Sequence, residues 1–129
     1  MKPKCILIVD DDQAIRETLA QYFDQCHHCM TCLARDNEEA LHHLRQRPFD
    51  VLLTDINHPG INGLELTRLV HRHHGPPVIV LTGYFNSQRR RQAIASGARA
   101  CLRKPFKLER LADIVALVVE KRVHYIGQG

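Results

Sequence analysis

The sequence lacks tryptophan and is poor in aromatic residues, with three tyrosines and four phenylalanines among its 129 residues. Proteins that bind single-stranded nucleic acid commonly stack bases on aromatic side chains. The sequence also lacks the spacing of a zinc finger or a helix-turn-helix. Direct nucleic-acid binding by this chain is therefore not expected, although its net charge of +4 mildly favours acidic partners.

Long apolar runs are also missing. No run approaches the roughly 18 residues of a membrane-spanning helix, and the first residues do not form a signal-peptide pattern. The five cysteines are an odd number, so we expect reduced thiols and a cytoplasmic location. Neither repeats nor low-complexity segments interrupt the chain. We predict one domain of ordinary size over residues 1–122, followed by a C-terminal tail or the start of a linker over residues 123–129.

Apolar segments of strand length alternate along the chain with segments of helical periodicity. Strands are predicted at residues 4–9, 30–35, 51–54, 78–81 and 100–103. A helix is predicted after each strand. The first carries Ile15, Leu19, Tyr22, Phe23 and Cys26 on one face, and the second extends from a capping box at Asp36 and Glu39 to before Pro48. The third ends at residues 75–77, the fourth spans 87–96 and the fifth spans 107–122. This alternation predicts an α/β fold with a doubly wound parallel sheet, but leaves the strand order open.

Polar residues follow four of the predicted strands. Asp10 and Asp11 follow the first strand, Asp55 the third, Thr82 the fourth and Lys104 the fifth. The carboxyl ends of parallel strands meet at one edge of a doubly wound sheet. We therefore expect these side chains to share one pocket, with Asp12 instead capping the first helix.

Such a pocket has a specific chemistry. Carboxylates about 4 Å apart repel each other by about 4 kcal/mol at an effective dielectric of 20, so a cluster of them needs a cation. Oxygen ligands open to solvent suit Mg²⁺. No Gly-rich nucleotide loop is present, so a phosphoryl group would come from a partner. We predict that Asp10 and Asp11 bind the metal, that Asp55 is the nucleophile, and that Thr82 and Lys104 contact the phosphoryl oxygens.

The same residues resemble the receiver domain of two-component response regulators over roughly residues 4–122. The matching motifs, in the order and at the spacing of that family, are Ile8-Val9-Asp10-Asp11, Asp55-Ile-Asn-His-Pro-Gly-Ile-Asn-Gly-Leu-Glu65, Leu81-Thr82-Gly83 and Lys104-Pro105-Phe106. The resemblance implies a five-stranded, flavodoxin-like sheet of order 2-1-3-4-5, with Asp55 as the phosphoacceptor. It also implies that the carbonyl of Asn57 binds Mg²⁺ together with Asp55, and that Lys104-Pro105 is a cis peptide.

The resemblance also implies a function. A receiver takes its phosphoryl group from a phosphohistidine on a sensor histidine kinase or a phosphotransfer protein, catalyses only its own phosphorylation and dephosphorylation, and is not otherwise an enzyme. The face formed by helix 4, strand 5 and helix 5 then changes its affinity for a downstream effector domain or protein, or for a second copy. Cys101 stands where the family often has Tyr or Phe, and His58 where it has a large apolar residue. We therefore expect switching to depend on Thr82 and the loop around Tyr84.

Two alternative functions follow from other features of the sequence. Eight basic residues against one acid lie between Arg89 and Arg110, and they could make the chain an interaction module that is never phosphorylated. The spacing Cys26-x₂-Cys29-x₂-Cys32 could instead indicate a metal or redox sensor. Cys26, Met30 and Cys32 are expected to pack in the core, which argues against a metal or redox sensor. Five histidines are expected on solvated helix surfaces: His42, His43, His71, His73 and His74.

Overall fold

Five parallel strands form the centre of the molecule. The computed structural model describes residues 3–58, 61–84 and 86–120. The strands are β1 (Cys5–Val9), β2 (Met30–Ala34), β3 (Val51–Asp55), β4 (Val78–Thr82) and β5 (Ala100–Arg103). They lie in the order β2-β1-β3-β4-β5, and every neighbouring pair is parallel. The predicted sheet and its order 2-1-3-4-5 are confirmed.

Helices cover both faces of this sheet. They are α1 (Gln13–Cys26), α2 (Asn37–Gln46), α3 (Gly63–Arg72), α4 (Ser87–Ser96) and α5 (Leu108–Val119). The strands are apolar on both sides because both faces are buried. Ile6 and Ile8 of β1 pack in one core with Leu19 and Phe23 of α1, while Leu7 and Val9 face a second core on the other side. Among the described residues, no helix is long and apolar enough to cross a membrane.

Helix starts follow the predicted capping pattern, with one difference. Asp12 accepts hydrogen bonds from the amides of Ala14 and Ile15, so it caps α1 as predicted. Asp36 likewise accepts from the amide of Glu39. The capping box is incomplete, however, because Glu39 Oε1 accepts from the amide of Arg35, one residue before the cap. The Glu39 carboxylate also forms an ion pair with the Arg35 guanidinium at 3.1 Å, and this ion pair explains why the carboxylate accepts from the amide of Arg35.

Several predicted positions differ in the structure. Met30 was expected to pack but is 50% exposed, because it begins the edge strand β2. His43 was expected on a solvated surface, but its ring is partly buried with Nε2 3.1 Å from the carbonyl of Leu33. The inner stripe of α5 also contains Ile114, which the pattern missed. A short antiparallel hairpin at Asn57–His58 and Ile61–Asn62 was not predicted.

Some predictions lie outside the described residues. These are the Pro59-Gly60 turn, the end of α5 at Arg122 and the tail over residues 123–129. The side chains of Cys26, Asn57 and His58 are likewise not described. The predicted domain boundary at residue 122 therefore stays a prediction.

Candidate functional site

The predicted polar residues do meet at the carboxyl edge of the sheet. Asp55 is the last residue of β3, Thr82 is the last residue of β4, and Asp10 and Lys104 directly follow β1 and β5. Asp10, Asp55 and Thr82 are almost fully buried, between 2% and 4% exposed. Parallel pairing aligns these strand ends, so the sheet itself positions the side chains.

Lys104 joins two of the carboxylates. Its Nζ donates to Asp55 Oδ2 at 2.9 Å and to Asp10 Oδ2 at 3.1 Å. The remaining oxygens accept from the backbone: Asp55 Oδ1 from the amide of Ile56 at 2.7 Å, and Asp10 Oδ1 from the amide of Asp12 at 3.0 Å. Each carboxylate is therefore fixed in orientation by one hydrogen bond to each of its oxygens.

Two opposing effects act on the pKa of Lys104. Burial by itself lowers the pKa, because it disfavours the charged ammonium. The hydrogen bonds and negative charges of Asp55 and Asp10 outweigh burial, so the pKa is raised overall. Lys104 is therefore a cation at neutral pH, held in contact with the predicted nucleophile.

Thr82 connects the pocket to the loop that follows β4. Its Oγ1 accepts a hydrogen bond from the amide of Tyr84 at 3.1 Å, and its carbonyl accepts from the amide of Lys104 at 2.8 Å. Tyr84 itself is 74% exposed. The hydroxyl at the site is thus coupled to a surface loop through one hydrogen bond.

The other predicted metal ligands are placed differently. Asp11 is exposed at the rim, next to Asp10 in the chain. The backbone of Asn57 belongs to the short hairpin that follows β3. Within the described part of the chain, no three His, Cys, Asp or Glu side chains are grouped as a metal site. Lys104 contacts both Asp10, at 3.1 Å, and Asp55, at 2.9 Å.

The donor set nevertheless suits a hard divalent cation. Asp10, Asp11 and Asp55 have a formal charge of −3 and Lys104 has +1, so these four side chains together have a formal charge of −2. Mg²⁺ prefers oxygen ligands such as carboxylates, and of these three only Asp11 is exposed. The residues present therefore fit this ion in charge and in chemistry.

One residue at the site had no predicted role. Gly63, the first residue of α3, donates its amide to the carbonyl of Ile56 at 2.9 Å. A Cβ at this position would lie 1.9 Å from the backbone oxygen of Asp55. Only glycine allows α3 to approach the end of β3 so closely. The signal in the sequence was a glycine at a helix start close after the acidic strand end.

The cysteine-rich segment does not form a site in the described structure. Cys29 packs against the core that contains α1, whereas Cys32 packs against the core on the opposite face of the sheet. Two thiols on opposite faces cannot bind one metal ion. Burial, together with the charges of Asp24 and Asp50, raises the pKa of Cys29, which disfavours a reactive thiolate.

Cys101 occupies the position of the expected aromatic residue and is completely buried on β5. Burial raises the pKa of its thiol to about 11. It packs in the same core as Val80 and Ala93. Cys101 is therefore a neutral core residue in this fold.

A fold of this topology, with acidic, hydroxyl and lysine residues at one sheet edge and a cis Lys104-Pro105 peptide, defines the receiver class of signalling domains. Residues 6–116 match the family model described as the response regulator receiver domain. The chain belongs to this family, which acts in two-component signal transduction and is not a family of conventional enzymes.

Known relatives support this assignment. The chain is 38% identical over 117 residues to the response regulator protein PilR of Pseudomonas aeruginosa, covering 90% of this chain and 26% of that protein. It is 35% identical over 130 residues to the DNA-binding transcriptional regulator NtrC of Escherichia coli K12, covering 99% and 27%. The chain therefore spans about a quarter of these relatives. The structure of chemotaxis protein CheY4 from Vibrio cholerae is similar with a TM-score of 0.85 and 28% identity, covering 91% of this chain and 99% of that one.

Proposed function

We propose that this chain is a phosphoacceptor switch in which Asp55 accepts a phosphoryl group from a phosphohistidine of a sensor histidine kinase or a phosphotransfer protein. A carboxylate oxygen of Asp55 attacks phosphorus, an O–P bond forms, and the P–N bond to the histidine breaks with its electron pair returning to the imidazole. The observation that carries this proposal is the contact of Lys104 with both Asp55 and Asp10. The ammonium is then close to where the phosphoryl oxygens would lie once phosphorus is bonded to Asp55.

The chain's own residues have distinct roles in this proposal. Lys104 exchanges its contact with Asp55 Oδ2 for a phosphoryl oxygen, because phosphorylation consumes one carboxylate oxygen. Asp10, Asp11 and Asp55, with the carbonyl of Asn57, would hold Mg²⁺, which when bound supplies positive charge to the phosphoryl oxygens. Asp10 is kept in place by the amide of Asp12. The same groups would support hydrolysis of the acyl phosphate, the only catalysis expected of this chain.

We further infer that the hydroxyl of Thr82 begins the switch. In this proposal the Thr82 side chain moves to donate its hydroxyl to a phosphoryl oxygen, and that movement breaks the 3.1 Å hydrogen bond that Oγ1 accepts from the amide of Tyr84. Losing this bond releases the loop before α4. A rotating aromatic ring is not needed, because the small thiol of Cys101 fills its position. The loop therefore changes the surface formed by α4, β5 and α5.

That surface is the proposed site for downstream partners. It carries exposed basic residues such as Arg91 and Arg110, and Ile94 is 41% exposed among them. An acidic effector domain or protein suits this charge. A second copy of the chain is a further candidate partner, and a cytoplasmic location stays a prediction from the sequence.

The test is incubation of the chain with acetyl phosphate, with and without Mg²⁺, followed by intact-mass measurement. We expect the wild type to gain the mass of one phosphoryl group only with Mg²⁺, and Asp55→Asn to gain none. Beryllofluoride should shift the amide NMR signal of Tyr84 in the wild type but not in Asp55→Asn. A wild type that gains no mass under these conditions would instead favour the alternative, an unphosphorylated interaction module.

A further inference from the structure

A groove lies at the edge of the sheet opposite Asp55. Its lining includes Phe49 two residues before β3, Pro76 and Pro77 before β4, and Arg99 before β5. These are the amino ends of parallel strands, whereas Asp10, Asp55 and Lys104 lie at the carboxyl ends. We call this groove the basal groove. Its volume is about 900 Å³, which lies in the range of small-molecule sites.

The basal groove has an apolar floor. Phe49 and Val70 are buried there, and Leu41, Leu44 and Leu69 form partly buried walls. Side chains of this type gain free energy when an apolar body displaces water from them, about 25 cal/mol for each Å² removed from water. The groove therefore suits a ligand with a hydrophobic body.

Positive charge surrounds this floor. Arg45, Arg47 and Arg99 line the groove, together with the imidazoles of two histidines. The one acid in the lining is Asp50, whose Oδ2 accepts a hydrogen bond from the amide of Cys5 at 2.8 Å. Arg45 lies in the last turn of α2 and Arg47 is its C-cap residue, and cations are favourable at that end of a helix. Arg99 comes from the loop before β5, however, so the charge converges from separate parts of the chain.

The backbone of the lining offers few donors to a ligand. The amides of Asp50, His73, Gly75 and Arg99 donate to backbone carbonyls at 2.8 to 3.1 Å. Three lining residues, Pro48, Pro76 and Pro77, have no amide hydrogen. Polar recognition in the groove therefore depends on the charged side chains, and guanidinium groups select anions.

We propose that the basal groove binds a small amphiphilic anion, an aromatic or aliphatic body that carries a sulfonate, carboxylate or phosphate group. The body packs on Phe49 and Val70, and the anionic group pairs with Arg45, Arg47 or Arg99. This site is separate from Asp55 and does not depend on phosphorylation. An extended peptide fits less well, because the engaged backbone leaves it few hydrogen-bond partners.

Two fluorescent probes test the proposal. One is 8-anilinonaphthalene-1-sulfonate, and the other is N-phenyl-1-naphthylamine, which has the same rings without the sulfonate. We expect the anionic probe to bind the full chain saturably at one probe per chain, at least about tenfold more tightly than the neutral probe. NMR shifts on binding should concentrate in residues 41–50 and 69–77, and binding should persist in Asp55→Asn.

Matched arginine variants separate the site from general charge attraction. The triple variant Arg45→Gln/Arg47→Gln/Arg99→Gln should weaken binding of the anionic probe about tenfold and change binding of the neutral probe by less than about twofold. The control variant is Arg68→Gln/Arg91→Gln/Arg110→Gln, which removes the same charge from exposed helix positions outside the lining. It should change the binding of neither probe. Thermal unfolding of both variants verifies that they are folded.

Three results would overturn the proposal. The first is equal weakening by both triple variants, which would mean that only net charge matters. The second is binding of the neutral probe that is as tight as binding of the anionic probe. The third is no saturable binding, or binding that falls as protein concentration rises, which would mean that another part of the chain or a second copy fills the groove. Because Asp55→Asn retains the groove, these results are independent of the phosphorylation test.

Discussion

Lys104 is the residue on which the geometry of the site depends. Its ammonium is 2.9 Å from Asp55 and 3.1 Å from Asp10, and its side chain is 21% exposed. Asp10 and Asp55 are much more buried than Lys104, so they have little water to stabilise their charges. Lys104 places a positive charge in hydrogen-bond contact with both carboxylates. This one side chain thus pairs with both carboxylates, and it is the group that we propose contacts the phosphoryl oxygens.

We predict that Lys104→Met lowers the free energy of unfolding by about 2 kcal/mol at neutral pH, because two buried carboxylates lose their cation. The pKa of Lys104 is raised by folding. Its contribution is therefore complete below the unfolded pKa of about 10.4 and disappears as the pH rises through the folded pKa. Urea unfolding of wild type and Lys104→Met between about pH 7 and pH 12 should show a difference that shrinks only above about pH 10.4.

Exposed Lys107 provides the control for this experiment, since Lys107→Met removes an equal charge at the start of α5. We expect that variant to stay within about 0.5 kcal/mol of wild type. Suppose that Lys104→Met lowers the free energy of unfolding as much in strong alkali as at neutral pH. That result would contradict the pairing of Lys104 with Asp10 and Asp55.

At the scale of elements, the contact between α3 and β3 holds the proposed nucleophile in place. Asn62 caps α3 by accepting from the amide of Glu65 at 3.1 Å, and Gly63 contacts the backbone of Asp55 and Ile56. Thr67 adds a hydrogen bond from its hydroxyl to the carbonyl of Gly63. The helix start and the strand end therefore act as one unit.

We predict that Gly63→Ala destabilises the chain by about 3 kcal/mol, because its Cβ would lie 1.9 Å from a backbone oxygen that cannot move without shifting Asp55. Phosphorylation by acetyl phosphate should slow in the same variant. Gly83→Ala is the matched control, since a Cβ there meets nothing within 4 Å. We expect it to change the free energy of unfolding by less than about 0.5 kcal/mol in chemical denaturation. Equal effects of the two substitutions would show that the close contact is unimportant.

At the scale of the whole molecule, charge is distributed unevenly. The chain carries a net charge of +4, but Asp10, Asp11 and Asp55 concentrate negative charge at one edge of the sheet. Basic residues are prominent at the basal groove and on α4. The two edges therefore attract ligands of opposite charge, a cation at one and an anion at the other.

We predict that Mg²⁺ stabilises the folded chain by about 1.4 kcal/mol at ten times its Kd, as expected for an ion that binds only the folded state. Asp11→Asn should remove most of this effect. Asp12→Asn should retain it, because asparagine also caps helices and Asp12 is assigned to the cap of α1. Thermal unfolding with and without Mg²⁺ gives the comparison. A full Mg²⁺ effect in Asp11→Asn, or its loss in Asp12→Asn, would reverse the roles given to these two residues.

The sequence by itself determined the alternation of strands and helices, the caps at Asp12 and Asp36, and the polar residues at the strand ends. These features are local, because periodicity, capping and strand termination act over a few neighbouring residues. The strand order required the resemblance to a family, since alternation alone fits several orders.

Only the tertiary structure decided the remaining features. Lys104 meets Asp10 across 94 residues of sequence and Asp55 across 49, and no local rule fixes such distances. Four further features likewise depend on which segments the sheet brings together. They are the close approach at Gly63 that only glycine allows, the partly buried contact of His43, the exposure of Met30 and the basal groove. The physical reason is that long-range contacts come from packing of the whole chain, whereas a sequence pattern reports only what each segment can bury.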